Sequence, residues 1–376
     1  MILTRFARAA GVTAVAALAL AACGSNPSSS STTTTGSSSS STPSASGSCP
    51  TGTLTGEGST AQKNAIEQAI SDYQSKCSGV TVNYNATGSG AGIKQFNGGQ
   101  VDFAGSDSAL KSVAVDGVIE ADAAKKRCSN NEAWNLPMVV GPIAISYNVD
   151  GVSKLTLTPA VAAKIFSGKI TTWNDPAIAA INKGVTLPSS KISVFYRSDD
   201  SGTTENFTKY LQAAGNGAWT KAPAKQWAGI GSGKEKSAGV VQGVQQTKNS
   251  ITYVEWSYAR DAKLPMASID NGAGPVDLTA ESAGKAIAAA KVAGTGNDLK
   301  LAIDYSTKVS GAYPIVLVTY EVVCSKGLPA DKTALLKDFL AYYSSADTQA
   351  GLTDIGFAPL PEAVRTKVAA AVAAIQ

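Results

Sequence analysis

Arg197-Ser198-Asp199-Asp200-Ser201-Gly202-Thr203-Thr204 decides how this chain is read. The residues just before it, 192–196, are β-branched and aromatic, and predict a buried strand. The residues just after it, 205–214, carry Phe207, Tyr210 and Leu211 at i, i+3 and i+4, and predict a helix. Hydroxyls, a glycine and an arginine therefore sit where a strand hands over to a helix N-terminus. The free N–H groups and the positive end of the helix dipole at such a place attract anions. Arg197 adds a planar fork of donors suited to phosphate or carboxylate oxygens. The competing reading is an ordinary helix start with Ser201 near the cap.

Working outward, strands and helices alternate, which predicts α/β layers. A strand begins at Leu54, a helix follows over 61–77, a strand over 80–84, a short helix over 93–97 and a strand over 101–104. Three turns share one chemistry, each after a strand and before a helix: Gly58-Ser59-Thr60, Gly88-Ser89-Gly90 and Ser201-Gly202-Thr203. Ligands of open α/β sheets bind beyond the carboxyl ends of strands, at turns of this kind. One shared anion explains all three. Two apolar runs, 135–147 and 313–323, are longer than ordinary strands and carry Pro137, Pro142 and Pro314. They predict chain crossings between two domains. Helices over 332–343 and 361–375 close the chain. The stretch 231–237, Gly-Ser-Gly-Lys-Glu-Lys-Ser, has the wrong glycine spacing for a P-loop and reads as a solvated loop.

Composition removes whole classes of chemistry. None of the 376 residues is a histidine. Ser-His-Asp and Cys-His catalysis, histidine bases and histidine metal ligands are therefore absent. No metal or other cofactor is expected. Without Arg5 and Arg8 of the leader, the formal charge of +4 falls to +2, too little to argue for nucleic acid.

Residues 1–22 predict a signal peptide: Arg5 and Arg8, a short apolar stretch, then Leu20-Ala21-Ala22-Cys23-Gly24, which resembles a bacterial lipobox. That signal implies cleavage before Cys23 and its acylation. Residues 23–48 are Ser/Thr-rich and free of charge, a flexible tether. The expected location is extracytoplasmic, at the cell membrane on a lipid anchor. Four further cysteines, Cys49, Cys77, Cys128 and Cys324, are an even number in an exported chain and predict disulfides. Three pairings are open. Cys49 at the first strand and Cys77 at the end of the first helix could meet at one end of a βα unit, which would leave Cys128 with Cys324.

From about Leu54 to the C-terminus the chain resembles the PstS family, the phosphate-binding proteins of bacterial ABC importers. The likeness is carried by Gly56-Glu57-Gly58-Ser59-Thr60, Gly88-Ser89-Gly90-Ala91-Gly92-Ile93 and Val101-Asp102-Phe103-Ala104-Gly105-Ser106-Asp107. It continues in Lys169-Ile170-Thr171-Thr172-Trp173-Asn174-Asp175-Pro176, in Arg197 to Thr204 and in Ile251-Thr252-Tyr253-Val254-Glu255. The resemblance implies an α/β, two-lobed periplasmic binding protein of type II, with two mixed sheets flanked by helices and the ligand in the cleft. Residues 49–141 and 313–376 would form lobe I, and residues 142–312 lobe II.

Carried over residue by residue, the resemblance implies that phosphate is held by Thr60, the N–H of Ala61, Ser89, Asp107, Arg197, Ser201, Gly202 and Thr203. Asp199 would pair with the arginine. Asp107 would accept the hydrogen that phosphate keeps near neutral pH and that sulfate lacks. Asp200 replaces the family's usual glycine and adds negative charge near the anion, with an effect that turns on where its side chain points. Ala61 replaces a bulkier residue. The implied function is extracytoplasmic phosphate capture and delivery to the transmembrane subunits of an ABC permease, by a monomer that is not an enzyme. The alternatives are a phosphatase on the same cradle and a surface adhesion or signalling lipoprotein.

Overall fold

The computed structural model describes residues 49–115 and 117–376. The leader, Cys23 and the tether lie outside the described residues. Among the described residues, no helix is long and apolar enough to cross a membrane.

The run 135–147 is the inside of one 16-residue strand, β4 (Ala133–Asn148), buried from Asn135 to Tyr147. Burial on both faces is why the run reads as continuously apolar. Its first part pairs antiparallel with strand Val316–Cys324, and residues from Ile143 onward pair antiparallel with strand Ser250–Glu255. Pro142 stands where β4 changes neighbour. Pro137 adjoins a register shift, where Tyr320 pairs with Pro137 and Thr319 with Val139. Bulges and such junctions tolerate the missing N–H.

Eight strands follow one order. Val80–Ala86 (β2) is at one edge, then Gly52–Gly58 (β1), Phe103–Ser106 (β3), Val316–Cys324, β4, Ser250–Glu255, Ser193–Arg197 and Ser232–Lys234. The resemblance implies two mixed sheets. Here the strand pairing runs through as one order, because β4 gives one neighbour to each half. β1, β2 and β3 are parallel, as are Ser193–Arg197, Ser232–Lys234 and Ser250–Glu255. Their carboxyl ends carry the turns discussed below.

Helices cover both halves. α1 (Lys63–Lys76) buries Ala65, Ile66, Ala69 and Tyr73, a stripe at helical spacing. It packs with helix Ala330–Tyr343 and β1 in one cluster, where Phe339 meets the rings of Tyr73, Phe103 and Tyr343. Truncating a ring so enclosed typically costs about 3–5 kcal/mol. A second cluster gathers Tyr147, Phe166, Trp173, Phe207 and Tyr253 around helices Pro159–Phe166 and Gly202–Ala214. Helix Ala280–Ala288 packs Ala283, Ala286 and Ile287 into the first cluster, although its sequence position lies within 142–312.

The disulfides are Cys49–Cys77 and Cys128–Cys324. Cys128 and Cys324 lie in a third, small apolar cluster with Phe96 and Val322. Their loop spans 196 residues, against 28 for Cys49–Cys77. In the chain-entropy account the longer loop constrains the unfolded chain more. Replacing Cys128 and Cys324 by alanine should lower unfolding free energy by about 3–5 kcal/mol. The Cys49/Cys77 pair should cost less, and urea denaturation of the two double variants measures the order.

Candidate functional site

Every parallel strand of the main sheet delivers polar groups at its carboxyl end. β1 leads into Ser59 and Thr60, β3 into Asp107, and strand Ser193–Arg197 ends on the arginine itself. β2 leads through Gly88 into α2 (Ser89–Asn97), so Ser89 is the first residue of a helix and not part of a longer turn. Gly58 has φ +142, and a Cβ there would lie 2.0 Å from the Gly105 carbonyl oxygen, so only glycine passes.

Arg197 is only 2% exposed. Its Nε donates to Asp199 Oδ1 at 2.7 Å and a terminal nitrogen donates to Oδ2, a fork-to-fork pair. Its other terminal nitrogen reaches Ser237 Oγ at 3.1 Å and Thr203 Oγ1 at 3.4 Å. Burial works against the charged guanidinium, but the Asp199 contacts outweigh it and hold Arg197 above its ordinary pKa. Burial likewise works against the Asp199 carboxylate, and the bonds and charge of Arg197 hold it below the usual range.

Helix Gly202–Ala214 starts beside them. Ser201 caps it: its Oγ accepts from Thr204 N at 3.2 Å and its carbonyl accepts from Glu205 N at 3.1 Å. The cap leaves the first two N–H groups, of Gly202 and Thr203, without an acceptor among the described residues. A cap and an anion site are thus compatible here. A Cβ on Gly202 would lie 2.6 Å from both Asp107 Cβ and Ser89 Oγ, so the helix start is pressed against the other turns.

Asp107 is buried among hydroxyls. Its Oδ1 accepts from Ser59 Oγ at 2.5 Å and Thr319 Oγ1 at 2.7 Å, and its Oδ2 accepts from Ser89 Oγ at 3.0 Å. Burial pushes its pKa up to about 6, against the pull of those three hydroxyls, and the negative charge of Glu255 adds to the rise. Behind it, Glu321 is buried against Gln62, with Oε1 accepting from Nε2 at 2.7 Å. Burial pushes Glu321 up to about 8.

The structure brings together the residues proposed from sequence to hold the anion. Thr60 Oγ1 lies 2.8 Å from Ser237 Oγ. Ala61 N donates to Ser59 Oγ at 3.0 Å, so within the chain this N–H is engaged. Ser89, Asp107, Arg197, Ser201, Gly202 and Thr203 meet as described. Asp200 points elsewhere: Oδ2 lies 3.2 Å from Lys94 Nζ and Oδ1 accepts from Gln226 Nε2 at 2.7 Å.

Sequence reasoning missed four residues. Ser59 and Thr319 hold Asp107. Glu255 accepts the Thr203 hydroxyl. Ser237 comes from the stretch read as a solvated loop, which instead forms edge strand Ser232–Lys234 and the start of helix Lys236–Gln246, with Ser237 buried.

A cavity of about 380 Å³ opens beside the cluster, lined by Lys94, Lys111, Glu120, Asp200, Glu205 and Lys225. Lys225 pairs with Glu120 at 2.6 Å. Glu205 pairs with Lys111 and, at 2.8 Å, with Lys209.

A sheet whose strand ends meet around one buried guanidinium, with helix N-termini turned inward, defines a solute-binding protein of the periplasmic type. The family model described as "PBP superfamily domain" matches residues 28–347. Phosphate-binding protein PstS 3 of Mycobacterium tuberculosis is 46% identical over 100% of both chains. Phosphate-binding protein PstS of Xylella fastidiosa is 32% identical over 82% of this chain and 81% of its own. This chain belongs to the PstS family. The fold is also that of solved type II binding proteins. The high affinity periplasmic phosphate-binding protein PfluDING, bound with phosphate, aligns with a TM-score of 0.68 at 23% identity, over 84% of this chain and 93% of that one. A phosphate-binding protein from Stenotrophomonas maltophilia aligns at 0.64 and 21%, over 85% and 93%.

Glu205 makes one consequence of this electrostatics measurable. Burial alone would raise its pKa, but Lys209 and Lys111 bring it down to about 2 from an ordinary 4.5. Its stabilising effect is therefore full above pH 4.5 and lost as pH falls toward 2. Glu205→Gln should be less stable than the parent at pH 7, with the difference shrinking across that window. Thermal unfolding at stepped pH measures it, and a constant difference would contradict the assignment.

Proposed function

We propose that this protein captures inorganic phosphate outside the cytoplasm and delivers it to the transmembrane subunits of an ABC importer. The observation that carries this reading is the pair of free N–H groups at Gly202 and Thr203, set between buried Arg197 and buried Asp107. The proposed ligand contacts are Thr60, the Ala61 N–H, Ser89, Asp107, Arg197, Ser201, Gly202 and Thr203. Several of these donors now bond to one another, so phosphate would be bound by exchange: the Ala61 N–H and the hydroxyls leave chain partners for ligand oxygens. Exchange of comparable hydrogen bonds leaves modest net free energy per bond, about 0.5–1.5 kcal/mol, and about 1.5–3 kcal/mol where a charge takes part.

The two-lobed division, 49–141 with 313–376 against 142–312, fits this reading. The chain would close as a hinge on β4 and strand Val316–Cys324. Acylated Cys23 and the tether of residues 23–48 would hold the protein at the membrane, as a monomer without catalytic activity. Release of phosphate from a phosphomonoester by the purified protein would instead favour the phosphatase reading.

Calorimetric titration of phosphate-stripped protein should show one-to-one binding that sulfate does not displace. Asp107→Asn should weaken phosphate by about 10- to 100-fold, the loss of one charge-assisted bond. It should not weaken the fold at pH 7. The Asp107 pKa is raised from 3.8 to about 6, so its contribution to stability falls as pH rises through that window and is unfavourable above it. A variant that loses both binding and stability would mean that Asp107 is a structural residue.

A further inference from the structure

We propose that the ion pair of Glu120 with Lys225 is a latch across the mouth of the phosphate cleft, and that it sets how fast the bound anion leaves. This rests on the phosphate reading and the two-lobed division above, and adds to them what holds the closed form.

The charged side chains of the cavity of about 380 Å³ come from both parts of that division. Residues 49–141 contribute Lys94, Lys111 and Glu120, and residues 142–312 contribute Asp200, Glu205 and Lys225. Each cation is bound to a carboxylate of the opposite part: Lys94 to Asp200 at 3.2 Å, Lys111 to Glu205, and Lys225 to Glu120 at 2.6 Å. Three cations against three carboxylates leave this lining no net charge with which to draw an anion in. The pairs join the two parts instead.

They are unequal. The Lys94 side chain is 77% exposed, and a pair so wet contributes little. The side chains of Lys225 and Glu120 are 9% and 14% exposed. Lysine is almost never so buried unless it is paired, and here the partner comes from the opposite part. A buried pair favours association only where the remaining lone pairs are satisfied. Glu120, the first residue of helix Glu120–Arg127, meets that condition: Oε1 accepts from Lys225 Nζ, and Oε2 accepts from Lys111 N at 2.9 Å.

The latch reaches the proposed site through the backbone. Lys225 O accepts from Ser201 N at 3.0 Å, and Ser201 O accepts from Glu205 N at 3.1 Å. Ser201 is a proposed ligand contact and the cap of helix Gly202–Ala214. In the first turn of that helix, Glu205 Oε1 takes both Lys111 and Lys209. The loop carrying Lys225 and the helix start with its two free N–H groups are thus one unit, tied to residues 49–141 by Glu120 and Lys111. Opening the cleft has to part Lys225 from Glu120 and Lys111 from Glu205. Buried charge pairs made only in the closed form act on departure, whereas charges at a rim act on arrival.

The test is stopped-flow measurement of inorganic phosphate binding and release on the whole protein. The double variant Glu120→Gln with Lys225→Met removes both charges, so that neither is left unpaired. Its release should be about tenfold faster than wild type, with association within about twofold. Raising sodium chloride from about 0.05 M to about 0.5 M should speed release from the wild type and leave the double variant nearly unaffected. Slower association with unchanged release would make these charges a steering device and overturn the latch. Unchanged rates would overturn it too, and either result leaves the phosphate reading standing. Wild-type protein that binds no phosphate would overturn both. Should the double variant not fold, the salt dependence of wild-type release decides: release that ignores salt overturns the latch.

Discussion

A full positive charge at 2% exposure is the constraint around which the site is arranged. Arg197 keeps its charge inside the protein only because Asp199, two residues along, meets its fork with both oxygens. Breaking such a buried pair from one side costs about 3–5 kcal/mol. The pair also fixes three elements at once. It ends strand Ser193–Arg197 and shapes the turn into helix Gly202–Ala214. It also anchors the start of helix Lys236–Gln246, since Asp199 Oδ1 accepts from Lys236 N at 3.0 Å and Arg197 donates to Ser237. Hydroxyls from separate parts of the chain reach this point because the charge pair holds the elements that carry them.

What was legible in the sequence was local. Strand, turn and helix around Arg197 could be read from periodicity, and so could Ser201 as a cap. The cap and the anion site looked like rivals, but a cap that serves Thr204 leaves the two N–H groups before it free, so both hold. What was not legible depends on register. Thr319 reaches Asp107 from beside the β4 register shift, and no local pattern marks a bulge between two apolar strands. Ser237 comes after exposed residues 231–235 and half-buried Lys236, and a single inward hydroxyl after a polar run carries no periodic signal. Glu255 was visible as part of a recurring motif, but its role requires knowing that Thr203, 52 residues earlier, lies against it.

The glycines of the second turn show the same limit. In the sequence, Gly88-Ser89-Gly90 reads as one of three turns around a shared anion. A Cβ on Gly90 would lie 2.4 Å from Asp200 Cβ, and Gly90 N donates to Asp200 O at 3.0 Å. Their immediate use is to let α2 approach the Arg197 turn. This also explains how an aspartate is accommodated at 200. Its carboxylate faces Lys94 and Gln226 at the surface, and so lies outside the cluster of Arg197, Asp107 and Glu255.

The cluster around Arg197 holds more carboxylates than guanidinium groups, so an anion bound there as proposed would need another source of attraction. Here it lies in oriented dipoles: N–H groups at helix starts and hydroxyls that turn. Dipoles fixed by the fold lose little on binding, and hydroxyls exchange partners without leaving a charge exposed. A carboxylate acts differently, since it repels any anion that brings no hydrogen to it. Burial pushes Asp107 up to about 6 and Glu321 up to about 8, the direction in which an ionised carboxylate costs stability. In the proposed site, an ionised Asp107 would attract a protonated ligand oxygen and repel a bare one. Because Arg197 is already neutralised by Asp199, departure of an anion bound in the proposed site would leave no isolated guanidinium charge behind.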